Sequence, residues 1–378
     1  MNNSFSRQYN TLFNGIQFRF SELDSKGLVL PGTTRFEDYN FSILLKPVPE
    51  DLKNVFKFKP GQYLTLRDTV NDEDIRRSYS LCSSPLDHEW KVAVKKIPDG
   101  KFSTFVNETL KKGDVLKVMK PMGRFGIATS ETPKNYIFFT AGSGITPILS
   151  ILKTHLEMEP NSTFKLFYLN RTVKSIIFKE EIEQLRNQYF GRIELFYFLT
   201  KEYRDVELFN GRFSKEKLEI IFDKLVDVSS LDECFLCGPE EMIFLVKDEL
   251  IKAGMASEKI HFELFVTGLS KENVKETKNT EISERDQVEI TIIDGGKEFH
   301  FGMPKGDGNI LDAALNAGSD LPFACKGGVC STCKCRVVEG EVFMKVNYAL
   351  DEKEVAQQYV LSCQAVPTTK KVIVDFDV

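Results

Sequence analysis

Apolar and polar positions alternate in short runs over the first third of the chain, and Gly, Pro, Asn and Asp interrupt them repeatedly. The runs at 16–20, 40–45, 62–66, 77–81, 90–95 and 115–119 have the period of two that a half-buried strand requires, which predicts a small antiparallel β-barrel. After residue 130 the pattern changes. Residues 136–140 are almost continuously apolar, the mark of a strand covered on both faces. Strands at 136–140, 164–169, 193–199 and 234–236 then alternate with helices at 179–188, 215–224 and 240–253. A further helix opens at Ile145-Thr146-Pro147, where the missing N–H of proline costs nothing. That alternation predicts a doubly wound parallel α/β sheet. The last part reads as a hairpin, 288–293 and 297–301, turned by Asp294-Gly295-Gly296. A helix at 310–317 follows, capped by Asn309 and stopped by Gly318, then a strand at 336–338, a short helix at 351–357 and a strand at 372–376.

These changes divide the chain into 8–130, 131–266, a charged stretch at 267–286 and 287–378. The stretch is rich in Lys, Glu, Asn and Thr and reads as a solvated linker. At 378 residues, 42% hydrophobic and 28% charged, the chain can bury two or three globular cores. A net charge of −5 argues against nucleic acid as the main partner, because phosphate binding needs a basic face. No run of eighteen apolar residues is present, so no membrane helix is expected, and Met1-Asn-Asn-Ser-Phe-Ser lacks the apolar core of a secretory signal. Eight cysteines, half of them in one pattern, point to a reducing cytoplasm and not to a disulfide scaffold.

That pattern lies in Leu321-Pro-Phe-Ala-Cys-Lys-Gly-Gly-Val-Cys-Ser-Thr-Cys-Lys-Cys335. Four residues separate Cys325 from Cys330, two separate Cys330 from Cys333, and 29 separate Cys333 from Cys363 in Leu-Ser-Cys-Gln. This is the plant-type spacing for a [2Fe–2S] cluster held by four thiolates. Gly327 and Gly328 let backbone wrap an inorganic core closely. Structural zinc more often arrives with paired short knuckles or with His. Cys335 begins a strand-like run and reads as a small core residue. Lys326, Lys334 and Arg336 flank the loop, either as solvated cations or as a docking rim for an acidic partner.

Two barrel motifs suit a flavin. In Arg76-Arg-Ser-Tyr-Ser-Leu81, Tyr79 is expected against an isoalloxazine face, Ser80 at the ring edge with Leu81 beside it, and Arg77 on a flavin phosphate. Gly100-Lys101-Phe102-Ser103-Thr104 leads into a helical pattern at 105–110, and a helix start suits a pyrophosphate. That favours FAD over FMN. In the next domain Gly142-Ser143-Gly144 turns the chain after a strand, with Pro147 where the Rossmann fingerprint has its third Gly.

Arg-x-Tyr-Ser with a Gly-x-x-Ser helix start, Ala141-Gly-Ser-Gly-Ile-Thr-Pro147 and Cys237-Gly238-Pro239 together resemble the ferredoxin–NADP reductase family. The resemblance implies that Gly142, Ser143, Gly144 and Thr146 hold a nicotinamide dinucleotide. It implies that Cys237, after the last parallel strand, sits by the nicotinamide, with Gly238 and Pro239 admitting the cofactor. Phe265 would shield the flavin and Glu263 would lie near the hydride exchange. The expected catalytic residues are thus Tyr79, Ser80, Cys237, Glu263 and Phe265. After the second strand stand Asn170-Arg171-Thr172 and Lys174 with no acid, which predicts NADPH, with Arg171 on its 2′-phosphate, over NADH. The final segment has the β-grasp order of plant-type ferredoxins.

A hydride donor supplies two electrons together, the cluster accepts one at a time, and a flavin mediates between them. The expected function is therefore an NADPH-dependent reductase passing electrons through FAD to a [2Fe–2S] cluster and on to a partner protein. The whole chain resembles the reductase subunits of bacterial phenylacetyl-CoA epoxygenases, closest in the motifs quoted and in Tyr359-Val-Leu-Ser-Cys-Gln-Ala365. That resemblance implies a di-iron oxygenase subunit as acceptor. A ring hydroxylase or desaturase would use identical internal chemistry. A redox-sensing or zinc-binding interaction protein is the reading from a different class.

Overall fold

A computed structural model describes residues 17–22, 40–48, 56–110, 114–265, 287–306 and 308–377. The expected linker at 267–286 and residues 8–16 of the expected first domain lie outside them.

Six strands build the first part: β1 (Gln17–Glu22), β2 (Asn40–Val48), β3 (Tyr63–Val70), β4 (Glu73–Ser80), β5 (Trp90–Lys95) and β6 (Val115–Val118). They lie in the order β4-β3-β6-β1-β2-β5. An antiparallel bridge from Leu81 to Val92 joins the two edges and closes the barrel. Alternation places Trp90, Val92 and Val94 inside with Leu64, Leu66, Leu116 and Val118. Helix α1 (Lys101–Thr104), continued by a wider π turn over Phe105–Thr109, buries Phe102 and Val106 in that core. The helix thus begins before the 105–110 pattern, because its first turn contributes an apolar anchor at Phe102.

The second part has β7 (Asn135–Ala141), α2 (Ile145–Met158), β8 (Thr163–Asn170), α3 (Lys179–Gln188), β9 (Ile193–Leu199), α4 (Lys215–Lys224), β10 (Glu233–Gly238), α5 (Glu240–Lys252) and β11 (Ile260–Leu264). Its strands are all parallel, in the order β11-β10-β7-β8-β9. The expected last parallel strand, β10, is therefore followed by one more. β11 carries the alternating run around Glu263, short enough to read as an isolated segment, and pairs with β10.

The third part has β12 (Gln287–Asp294), β13 (Lys297–Pro304), α6 (Ile310–Asn316), β14 (Lys334–Glu339), β15 (Val342–Met344), α7 (Glu352–Ala356), β16 (Tyr359–Leu361), β17 (Ala365–Pro367) and β18 (Lys371–Asp375). A sheet in the order β13-β12-β18-β14-β16, with β12 and β18 parallel, is covered by α6 through Ile310, Leu311 and Ala314. Asn309 caps α6 by accepting from the Asp312 N–H at 2.8 Å. The hairpin turn places Gly295 and Gly296 at φ 60° and 69°, with both N–H groups held by Asp377.

By spatial clustering the chain divides into two compact units, one holding nearly all the barrel together with the parallel sheet, the other holding the third part. Apolar side chains pack across the expected boundary near residue 130. Cys82 and Phe125 belong to the same core as α2 and β7, and Phe125 meets Phe235 edge-on at 5.5 Å.

Candidate active site

β7 ends in Thr140 and Ala141, and Gly142, Ser143 and Gly144 turn the chain directly into α2. A Cβ on Gly144 would collide with the Cys237 carbonyl, so glycine is what lets the turn reach the end of β10. Thr140 Oγ1 donates to that same carbonyl at 2.9 Å. Tyr168 Oη donates to the Gly142 carbonyl at 2.9 Å, and Thr146 Oγ1 to that of Ser143 at 3.0 Å. Beside Cys237, Gly238 leaves space that a Cβ would take from the Met242 side chain. Pro239 then caps α5. Arg171 lies exposed past the end of β8, its carbonyl accepting from the Lys201 N–H at 2.8 Å.

Cys237 is wholly buried, and its thiol is held well above its usual range by that burial. In the parallel register its neighbour on β11 is Glu263. Ser80, at the end of the barrel strand β4, donates to Glu263 Oε2 at 3.3 Å. Loss of solvent pushes the Glu263 carboxyl up to about 8, against a smaller lowering by the Ser80 hydrogen bond. Three expected residues from three separate strands therefore meet at one place. Phe265, just beyond β11, packs on the core of the parallel sheet.

Tyr79 is half-buried and stacked on Phe102, with centroids 6.1 Å apart. Arg77 is exposed and donates to the Arg76 carbonyl at 2.7 Å. Leu81 is buried in the barrel. The helix-start motif divides by role. Gly100 packs where a Cβ would strike Ile97 and Ser103, and Ser103 Oγ is engaged with the Gly100 carbonyl and the Ile97 N–H. Lys101 pairs with Glu73 at 2.5 Å, Phe102 lies in the core and Thr104 is half-buried. What this turn offers a ligand is its backbone, since the first N–H groups of a helix have no intrahelical acceptor. An aromatic face, a buried hydroxyl and a helix start fit a dinucleotide flavin.

The three loop thiols and Cys363 stand as two pairs. Cys325 accepts from Cys330, and the hydrogen bonds of that thiol and of backbone N–H groups hold Cys325 below its usual range. Cys363 accepts from Cys333 and is likewise lowered. Gly327 N–H donates to Cys325 Sγ at 3.3 Å. Gly328, at φ 75°, would bring a Cβ within 2.8 Å of the Val346 carbonyl. Among the described residues, no group of three or more His, Cys, Asp or Glu surrounds a single metal position. Two cysteine pairs, three members from one loop and Cys363 from beyond β16, match what a binuclear cluster needs, two protein ligands per iron. Cys335 is fully buried in the sheet core. Of the flanking cations, Lys326 pairs with Asp312 at 2.6 Å and Lys334 with Glu354 at 3.3 Å, while Arg336 is exposed.

Comparison with known proteins shows the family of the chain. The model of the oxidoreductase FAD-binding domain matches residues 46–127, that of the oxidoreductase NAD-binding domain 138–248, and that of the 2Fe-2S iron-sulfur cluster binding domain 292–368. Over 331 residues, 87% of this chain and 92% of the relative, the sequence is 42% identical to a 1,2-phenylacetyl-CoA epoxidase component from Escherichia coli (strain K12). The chain belongs to the ferredoxin–NADP reductase-like family of oxygenase reductases. It is also 32% identical to the ferredoxin reductase component of a 3-ketosteroid-9-alpha-monooxygenase from Rhodococcus rhodochrous, over 87% of this chain and 91% of that one. Phthalate dioxygenase reductase shares the fold at a TM-score of 0.54 and 20% identity, covering 96% of this chain and 98% of the other.

As a member of that family the chain is an NAD(P)H-dependent oxidoreductase with FAD- and NAD-binding domains and a [2Fe–2S] domain. Sequence reasoning passed over three residues that shape its sites. Thr140 is the polar exception at the end of an apolar strand, and that break in pattern was its signal. Gln364 donates from Nε2 to the Lys326 carbonyl at 3.0 Å and lies beside Cys363 Sγ. Tyr168 had no signal, because its bond runs from strand β8 to the turn after β7, 26 positions away. Among the described residues no helix is long and apolar enough to cross a membrane.

Proposed function

We propose that this reductase takes hydride from NADPH in preference to NADH and delivers electrons to the di-iron oxygenase subunit of phenylacetyl-CoA epoxidation, in the cytoplasm. The observation that carries the acceptor is the 42% identity to the Escherichia coli protein, over an alignment that takes in 87% of this chain. When bound, FAD supplies two-electron acceptance from the nicotinamide and one-electron delivery to the [2Fe–2S] cluster. Tyr79 would hold the flavin ring and the turn at Gly100 its pyrophosphate. Gly142, Ser143, Gly144 and Thr146 would seat the nicotinamide dinucleotide, with Cys237, Gly238 and Pro239 flanking the nicotinamide. Cys325 and Cys330 would hold one iron, Cys333 and Cys363 the other. Glu263, its carboxyl raised to about 8 by desolvation, would present a neutral acid beside the nicotinamide.

The NADPH preference is supported by two exposed cations, Arg171 and Lys201, whose backbones are joined just past the ends of β8 and β9. The nearby acid, Glu202, is committed to the Val173 N–H at 2.8 Å. Steady-state rates with both nucleotides test it, and a tenfold preference for NADH refutes it. Reconstitution with the oxygenase components of phenylacetyl-CoA epoxidation, against those of ring hydroxylases, tests the acceptor.

A further inference from the structure

Helix α2 begins at the nucleotide turn and is buried around nearly its whole circumference, by Ile145, Ile148, Leu149, Ile151, Leu152 and Leu156. Polar side chains are buried with them, among them Ser150 at 0% and Thr154 at 5% exposure. These two lie one turn apart on the same face and meet Ser83 and Ser84, themselves 1% and 2% exposed. The two serines follow the flavin strand directly, three and four positions past Ser80. Ser150 Oγ donates to the Ser83 carbonyl at 2.7 Å. Thr154 Oγ1 gives its one proton to the Ser150 carbonyl at 2.7 Å, so at the 2.9 Å contact Ser84 Oγ is the donor. Every proton in this seam has one acceptor.

The seam closes a loop of contacts around the hydride site. From Ser80 the chain runs to Ser84, across to Thr154, back along α2 to Gly144, against Cys237, sideways in register to Glu263, and from Glu263 to Ser80. Ser and Thr inside a helix weaken it slightly, and apolar residues would pack here as well. Directional bonds add what apolar packing lacks, a single register between helix and strand. About 9 Å of helix, six residues at 1.5 Å each, separates Ser150 from Gly144.

We propose that Ser150 and Thr154 are positioning residues for hydride transfer: through Ser83 and Ser84 they set the spacing between the nucleotide turn and the flavin strand. This rests on the reading that hydride passes from the nicotinamide to the flavin at that site.

Stopped-flow bleaching of the flavin by NADPH, with NADH in parallel, tests it on the holoprotein. The parent must bleach; if neither nucleotide reduces its flavin, the underlying reading fails. Thr154→Val keeps the shape and removes the hydroxyl, and Ser150→Ala removes the other. Both variants should retain parental flavin and cluster absorbance and bind nucleotide within about threefold. Their limiting rate of flavin reduction should fall ~10- to 100-fold, the scale of a misplacement near 1 Å. Thr154→Ser should restore the rate to within about twofold. A double variant, Ser84→Ala with Thr154→Val, leaves no orphaned hydroxyl, although it also gives up the bond Ser84 Oγ accepts from the Leu86 N–H at 3.2 Å, and it should stay as slow as Thr154→Val. Parental rates in Thr154→Val, or in the double variant, overturn the proposal while leaving hydride transfer intact.

Discussion

Ser80 and Glu263, 183 positions apart in the chain, share a hydrogen bond of 3.3 Å at the meeting of the barrel and the parallel sheet. Glu263 is desolvated there, the Ser80 hydroxyl offsets only part of the cost, and its carboxyl is raised to about 8. In the unfolded chain it releases its proton near the ordinary 4.5. Between those values the folded state holds more protons than the unfolded one, so stability falls as pH rises through the window. Melting temperatures of the purified protein from pH 5 to 8.5 should decline, and Glu263→Gln should flatten the decline. An unchanged slope in the variant means that Glu263 is ionised throughout.

Gly144 has no room for a side chain against the Cys237 carbonyl. Gly144→Ala must part the nucleotide turn from β10, at a cost of about 1–3 kcal/mol typical of overpacking. The expected outcome is weaker nucleotide binding and slower flavin reduction with flavin content unchanged. Equilibrium dialysis of NADPH and stopped-flow bleaching check the two effects separately.

The cysteines separate into ligands and core. Cys333→Ser and Cys363→Ser should each lose the visible iron–sulfur bands and most of the bound iron, since each removes a thiolate from a four-thiolate site. Cys335→Ala should keep parental iron and lose about 1–2 kcal/mol of stability, the cost of a small buried deletion. Iron analysis and denaturant titration of the same three variants decide the assignment; retention of full iron in Cys363→Ser would remove that ligand.

Gly328 stands at φ 75° with the Val346 carbonyl 2.8 Å from where a Cβ would sit. Gly328→Ala meets both backbone strain and collision, of order 1–3 kcal/mol. The expected result is faster bleaching of the cluster by a chelator, with the flavin spectrum unaffected. Parental bleaching kinetics would show that the loop yields without strain.

Local pattern carried much of the architecture. The helices 179–188 and 215–224 and the strand 193–199 stand where hydrophobic period places them, because period 3.6 or 2 is set by the backbone of each segment alone. The spacing of Cys325, Cys330, Cys333 and Cys363 was likewise readable, since three of the four share one loop. The pairing of β15 with β17 and of β11 with β10 was not, because a three- or five-residue strand acquires its identity from its neighbour.

The order of the chain by itself determined which chemistries are present: thiols for a cluster, a glycine turn for a dinucleotide, an aromatic–hydroxyl strand for a flavin. Only the folded molecule decided what adjoins what. Glu263 meets Ser80, Thr154 meets Ser84, and Gly144 meets Cys237 because a parallel sheet and a closed barrel were packed on one core. Contacts of that kind depend on side chains brought together from distant segments, and periodicity, which repeats within a segment, holds no record of them.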